Sequence, residues 1–498
     1  MDSSRQPAGR PHVVIVGGGI SGLAAAFFLR DAPARVTVLE GSPRLGGKLA
    51  VSEVAGIAVD EGAEALLTRR PEGLDLIRDV GLGDQLVTPG TTSSAIWTRE
   101  AMRPLPRRQF MGVPADLADL ARSGVLSADG LARARQDLDR PATERDGDTA
   151  VAAYVGARFG PELVERLVDP LLGGVYAGRS ENLSFEATLA PLAAASRAHR
   201  SLAEAAQSLL PAPPPGSLPP AGAARPGPAP GGRPAVFATL ASGLGTLPDA
   251  VAAASGAVIR TRSTVRELSR TATGWRLVAG SAAAPEEIRA DAVVLAVPAR
   301  AAGRLLAGVT GAPAAALASI EYASMAIVTL AYPRPDFPAA EDLSRSGYLV
   351  PAVDGHAVKA VTYSTIKWPH LTGPAGAGPD EPMDVIRCSV GRIGEESLLQ
   401  RSDEELAALA AAELARATGA RGKPIDARVT RWGGGLPQYT VGHLDRVAAI
   451  RAGVAAEPGV AVCGAAYDGV GIPACVATAR AAAAQVVSYL QARVPPRA

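Results

Sequence analysis

Val13-Val14-Ile15-Val16 runs straight into Gly17, Gly19 and Gly22, and this junction constrains the fold more than any other stretch of the chain. Four apolar, β-branched residues in a row read as a buried parallel strand. The glycines stand in G-x-G-x-x-G spacing, and Ile20 to Leu29 has the composition of a helix packed on a sheet. Gly17 permits the tight turn, Gly19 lets the backbone approach a pyrophosphate, and Gly22 lets the helix lie close to the strand. Free N–H groups and the dipole at the helix N-terminus favour an anion there. A second strand, Arg35 to Leu39, ends in Glu40. A carboxylate at that point accepts the hydroxyls of an adenosine ribose and repels a 2′-phosphate, so FAD or NAD is expected over NADP.

The residues directly after Glu40 separate flavin from nicotinamide. Gly41 leads into Ser42-Pro43-Arg44-Leu45-Gly46-Gly47-Lys48, where a cation and a glycine pair can lie along the pyrophosphate and ribitol of a longer cofactor. This arrangement resembles the FAD site of the flavin amine oxidase and protoporphyrinogen oxidase superfamily. Beyond it, Gly62-Ala63-Glu64-Ala65 reads as a small-residue floor against the flavin, and Arg69 and Arg70 as the mouth of a site.

At 498 residues the chain exceeds one ordinary core, so two domains are expected, and 47% hydrophobic content is ample to bury both. A net charge of +1 gives no field for nucleic acid or an anionic membrane. Cys388, Cys463 and Cys475 form neither a disulfide frame nor a metal pattern, which fits a reducing compartment. The first residues, MDSSRQPAGRP, lack the apolar core of a signal peptide. No uncharged apolar run of about 18 residues occurs, so no integral membrane segment is expected and the location is read as cytoplasmic.

From about Met102 to Leu210 the pattern is read as helical, with Ser127 as a cap, Leu131 and Leu138 on a buried side, and a turn at Gly173 to Gly178. Pro211 to Pro234 is so rich in proline and glycine that it reads as a disordered linker. Val258 to Val278 reads as an antiparallel meander, and Ala292 to Val297 as a buried strand ended by Pro298. Ala326 to Ala331, Gly347 to Val350, Val358 to Ile366 and Val385 to Val390 suggest the sheet of a second domain. Ser402 caps a helix reaching Ala417. The last unit, Val460 to Ala484, is again strand, glycine loop and helix, and its helix N-terminus could stabilise negative charge on a reduced flavin. The fold class is therefore α/β: a Rossmann-like FAD-binding domain (1–90, 235–300 and 450–498) with a discontinuous α+β substrate domain. The latter has a helical part (91–210), the linker (211–234) and a sheet part (301–449).

The closing segment sharpens the resemblance. Tyr467-Asp468-Gly469-Val470-Gly471-Ile472-Pro473, with Cys475 and Ala479-Arg480 after it, resembles the final motif of porphyrinogen oxidases. Pro437-Gln438-Tyr439 with Gly442-His443, and Leu171 to Gly178, are similar to two further stretches of that family. Gly433-Gly434-Gly435 departs from its usual bulkier residues. The nearest likeness is to soluble bacterial enzymes oxidising coproporphyrinogen III to coproporphyrin III in haem biosynthesis. The resemblance implies non-covalent FAD, no metal, a porphyrinogen substrate, molecular oxygen as acceptor with hydrogen peroxide as by-product, and a passing contact with a ferrochelatase. The implied cofactor contacts are Gly17, Gly19, Ile20, Ser21 and Gly22, then Glu40, Gly41, Arg44, Gly47 and Lys48. Gly62, Ala63 and Val265 come next, and at the end Gly464, Val470, Gly471 and Ile472. Substrate carboxylates need cations, for which Arg69, Arg70, Arg179 and Lys367 are candidates. Tyr176, Tyr439 and Trp432 could line a slot for the macrocycle, while His356 and His443 read as structural.

Other readings stay open. Protoporphyrinogen IX could be the substrate. A flavin amine oxidase or carotenoid desaturase shares the cofactor motifs, although 4% aromatic content makes an aromatic cage around the flavin hard to supply. A non-catalytic prenyl-binding chaperone shares the fold, but the intact glycines, Glu40 and Arg44 speak against it.

Overall fold

The computed structural model describes residues 10–211, 235–337, 345–372 and 382–493. Apart from Pro211, the linker expected at 211–234 lies outside the described residues, as do the first nine residues.

His12–Val16 is the central strand of a five-stranded, all-parallel sheet. Arg35–Leu39 and then Val258–Arg260 lie on one side of it, and Ala292–Leu295 and Val460–Val462 on the other. Strands buried on both faces must be apolar throughout, and Val13, Val14 and Ile15 are wholly buried. One face is covered by helices Ile20–Phe28, Leu247–Ser255 and Ile472–Ala492. The other is covered by the meander Val265–Arg270, Trp275–Gly280 and Pro285–Ala290, with helices Ala299–Leu306, Gly311–Ala318 and His443–Ala455 beyond it. Val258–Arg260 does not begin that meander as expected. It pairs in parallel with Arg35–Leu39 because its Val258, Ile259 and Arg260 register with Thr37, Val38 and Leu39 at the sheet edge.

A seven-stranded mixed sheet forms the second layer, in the order Asp426–Pro437, Tyr322–Pro333, Met383–Val390, Val358–Tyr363, Gly347–Leu349, Ala95–Thr98 and Ala101–Pro104. Its outer face packs on helix Asp403–Thr418 through Leu406, Ala410 and Leu414. The expected cap is present as a full capping box between Ser402 and Glu405.

The stretch from Met102 is not helical at its start. Ala95–Thr98 and Ala101–Pro104 form a hairpin, and Gln109–Phe110 pairs with Val113–Pro114. The hairpin turn escapes notice because it uses Arg99 and Glu100, both at positive φ, where a tight hairpin ordinarily takes Asn or Gly. Tertiary ion pairs from Arg99 to Glu162 and from Glu100 to Arg416 hold these side chains. Leu138 is exposed, and the buried place falls to Asp137. Its carboxylate pairs with Arg158 and accepts the Ser201 hydroxyl and the Ala203 N–H. Nor is Gly173 a turn: helix Asp169–Tyr176 runs through Gly173 and Gly174 and stops only where Ala177 turns left-handed at φ 50°.

Among the described residues, no helix is long and apolar enough to cross a membrane.

Candidate functional site

A cavity of about 1,070 Å³ lies between the parallel sheet and the inner face of the seven-stranded sheet. That is at the top of the range of about 300–1,000 Å³ usual for a single bound ligand. The first glycine turn forms one wall. A Cβ on Gly17 would meet the Ala296 carbonyl at 2.6 Å, and one on Gly22 would meet the Gly17 carbonyl at 1.9 Å. A Cβ on Gly19 would meet nothing within 4 Å. Gly17 and Gly22 are thus demanded by packing, whereas Gly19 leaves its backbone open to whatever fills the cavity. Helix Ile20–Phe28 has no side-chain cap and no acid in its first turn, so no carboxylate of its own competes for an anion there. The C-terminal helix Ile472–Ala492 has the same features and brings Ile472 and Cys475 into the same cavity.

Glu40 lines the cavity and is braced by backbone. Its two carboxylate oxygens accept the Gly18 and Ser42 N–H groups, each at 2.7 Å. Each oxygen retains a lone pair for a ribose hydroxyl. Gly41, Gly47, Lys48, Gly62, Ala63, Val265, Gly464 and Val470 also line the cavity, with Gly17, Gly19, Ile20 and Ser21. Burial lowers the Lys48 pKa. Gly22 and Gly471 are not part of the lining: Gly22 is buried and Gly471 exposed. Arg44 folds back onto its own turn, donating to the Leu45, Gly47 and Leu49 carbonyls, and does not project into the cavity. An open glycine backbone, two uncapped helix N-termini, a braced carboxylate and an apolar remainder fit a dinucleotide with a flat ring system.

The opposite wall comes from neighbouring strands of the second sheet. Ala360, Ser389 and Ile327 form one cross-strand row, and Thr362 and Arg387 stand in the next. Period-two alternation marks such a face, but it does not say which of two faces turns to the site. Arg387 therefore escapes a reading of the sequence. It pairs with Glu64 and donates to the Gly62 carbonyl at 2.7 Å. Lys367 donates to the other Glu64 oxygen. Burial alone would raise the Glu64 pKa, but the two cations outweigh it and hold the carboxyl at about 2. Asp60 nearby is pushed up to about 6 by burial, against the pull of the Leu244 and Gly245 N–H groups that it accepts.

Most of the expected substrate contacts lie elsewhere. Lys367 is committed to Glu64. Arg70 pairs with Glu72, Arg179 with Glu395, and Arg69 is exposed outside the cavity wall. Tyr176 and Tyr439 are buried in the helical core with ring centroids 5.5 Å apart. Burial raises the pKa of both, that of Tyr176 to about 12. Trp432 does line the cavity, with its indole N–H donated to the Glu61 carbonyl at 3.0 Å. His443 is wholly buried, and His356 stacks on Trp97 at 4.3 Å.

Residues 20–487 match the family described as flavin containing amine oxidoreductase. Coproporphyrinogen III oxidase of Mycobacterium tuberculosis (strain H37Rv) is 37% identical over 486 residues, 96% of this chain and 98% of that one. The Bacillus subtilis (strain 168) protein of the same name is 32% identical over 491 residues, 97% of this chain and 99% of its own. A crystal structure from Exiguobacterium sp. 255-15, provisionally named a protoporphyrinogen oxidase, superposes with a TM-score of 0.81 at 30% identity. It covers 96% of this chain and 99% of that one.

Proposed function

The chain belongs to the flavin containing amine oxidoreductase family, and from that premise we propose that it is an FAD-dependent oxidase converting coproporphyrinogen III to coproporphyrin III in haem biosynthesis. The reading is carried by one observation: the first glycine turn, the C-terminal helix and the inner face of the second sheet all open onto a single cavity. It is supported by near-full-length relatives bearing that activity in their names.

FAD, when bound, supplies the two-electron acceptor of each round. The chain's own residues bind, orient and exclude water. The N–H groups at Ile20 and Ser21 receive the pyrophosphate, and Glu40 the ribose. Ala360, Thr362, Ile327, Ser389 and Trp432 present a mostly apolar wall to a flat macrocycle. A porphyrinogen loses six electrons and six protons in becoming the aromatic porphyrin. With molecular oxygen as acceptor, three rounds give three hydrogen peroxide molecules. Gain of aromaticity makes a strong base unnecessary, so positioning and dryness are what the site contributes. Lys48 is a cation on the cavity wall beside the small-residue floor, at Gly62 to Ala65, and stands as a partner for a substrate carboxylate. A location in the cytoplasm and a passing handover of product to a ferrochelatase complete the proposal.

The test is an anaerobic and then aerobic assay on the purified protein. Flavin absorbance should bleach on addition of coproporphyrinogen III, and porphyrin fluorescence should then rise to completion only with oxygen. Faster bleaching by protoporphyrinogen IX would move the assignment to that substrate. A yellow protein bleached by neither would sink it.

A further inference from the structure

Tyr439 lies between strand Asp426–Pro437 and helix His443–Ala455, packed in the core of the helical part. Its hydroxyl reaches out of that core. It donates to the Ala465 carbonyl at 2.6 Å and accepts the Gly469 N–H at 2.8 Å. One phenol thereby closes the base of loop 464–471, which joins strand Val460–Val462 to the C-terminal helix. Gly464, Ala465, Ala466 and Val470 of this loop line the cavity, and Tyr439 does not. Gly464 and Gly469 stand at φ 130° and 141°, so the loop depends on conformations in which glycine is unusually free. Its shape must be fixed from outside.

The phenol is itself held. Its ring stacks on His443, with centroids 3.8 Å apart and planes 14° from parallel. The Nε2 of His443 bonds the Tyr467 carbonyl at 3.0 Å, a second tie to the same loop. On another side Tyr439 meets Tyr176, the residue directly after cavity-lining Gly174 and Val175.

We propose that Tyr439 is a positioning residue: its hydroxyl sets the conformation of loop 464–471, and through it the seat of the flavin, from the helical side of the molecule. The proposal rests on the FAD reading above. A buried carbonyl and N–H that lose a shared partner are left unsatisfied, so the loop has reason to relax when the hydroxyl is removed.

The experiment compares the holoenzyme with Tyr439→Phe and Tyr332→Phe. Tyr332 is equally buried, but in the core on the outer face of the second sheet, away from the loop and the cavity lining. Tyr439→Phe should raise the FAD dissociation constant at least tenfold, shift the visible flavin bands and lower kcat several-fold at constant KM. Tyr332→Phe should leave all three unchanged. Hydrogen exchange on the unaltered apoprotein should show the Gly469 amide protected. Wild-type affinity, spectrum and kcat in Tyr439→Phe would overturn the proposal. An unprotected Gly469 amide in the unaltered chain would do so too, whether or not the variant folds. A wild-type chain that takes up no FAD would instead overturn the cofactor reading on which it rests.

Discussion

Glu64 and Arg387 are 323 positions apart in sequence and form an ion pair in the wall of the cavity. Glu64 arrives on the loop after the strand Ile57–Asp60, and Arg387 on the second sheet. With Lys367 on the other carboxylate oxygen, the pair ties the two layers together at the site.

Replacing Glu64 by Gln should therefore destabilise the fold. It leaves two largely buried cations without their counter-charge, a change that costs about 3–5 kcal/mol where burial is complete. Partial exposure of Lys367 places the expected value toward the lower end. The folded pKa of about 2 lies below the unfolded value. The stabilisation is thus present above about pH 4.3 and lost as pH falls toward 2. Denaturant melts across that window should show a slope in the wild type that Glu64→Gln lacks.

Asp60 should act with the opposite sign. Its folded pKa of about 6 lies above the unfolded value of about 3.9. Its contribution is present below about pH 3.9 and disappears as pH rises through 6. A shift of about two units corresponds to roughly 2–3 kcal/mol. Asp60→Asn keeps an acceptor for only one of the Leu244 and Gly245 N–H groups, which lowers stability at every pH, but it should flatten the stability profile between pH 4 and 6.

Gly19 and Gly22 should separate cofactor binding from folding. Gly19→Ala adds a methyl facing open cavity at φ −74°, so apoprotein stability should change by no more than about 1 kcal/mol while FAD affinity falls. Gly22→Ala drives a methyl to 1.9 Å from the Gly17 carbonyl and should lower the melting temperature of the apoprotein itself. Calorimetry on apoprotein with parallel FAD titration distinguishes the two.

Ala360 should report on the substrate side. Ala360→Trp places an indole on the second sheet's cavity face. FAD titration should be unaffected, and the KM for coproporphyrinogen III should rise at least tenfold. Loss of FAD binding in this variant would show that the sheet face belongs to the cofactor and not to the substrate.

Residues whose roles depend on near neighbours are legible in the sequence. The Gly17–Gly22 turn, Glu40 at a strand end and Ser402 ahead of Glu405 each carry their logic within a few positions. Arg44 is expected as a cofactor contact, but a cation beside a glycine turn has two uses, and here it donates to three carbonyls of its own loop. Arg70, Arg179 and Lys367 stand off the cavity wall, each paired with an acid, which the sequence does not show. An isolated Arg or Lys in a sequence shows its charge but not its partner. The acids that engage these three range from two positions away to more than three hundred.

The chain by itself determined the parallel sheet, the flavin-type turn and the presence of a second, strand-rich layer. Those arise from local periodicity and from glycine's freedom at positions that tolerate no side chain. Tertiary structure alone decided which face of the second sheet meets the cavity, which cations Glu64 neutralises, and that Tyr439 points at a loop and not at the site. An alternating strand has two equivalent faces until something packs on one of them. A carboxylate or phenol likewise acquires its role only from groups that the fold brings within about 3 Å of it.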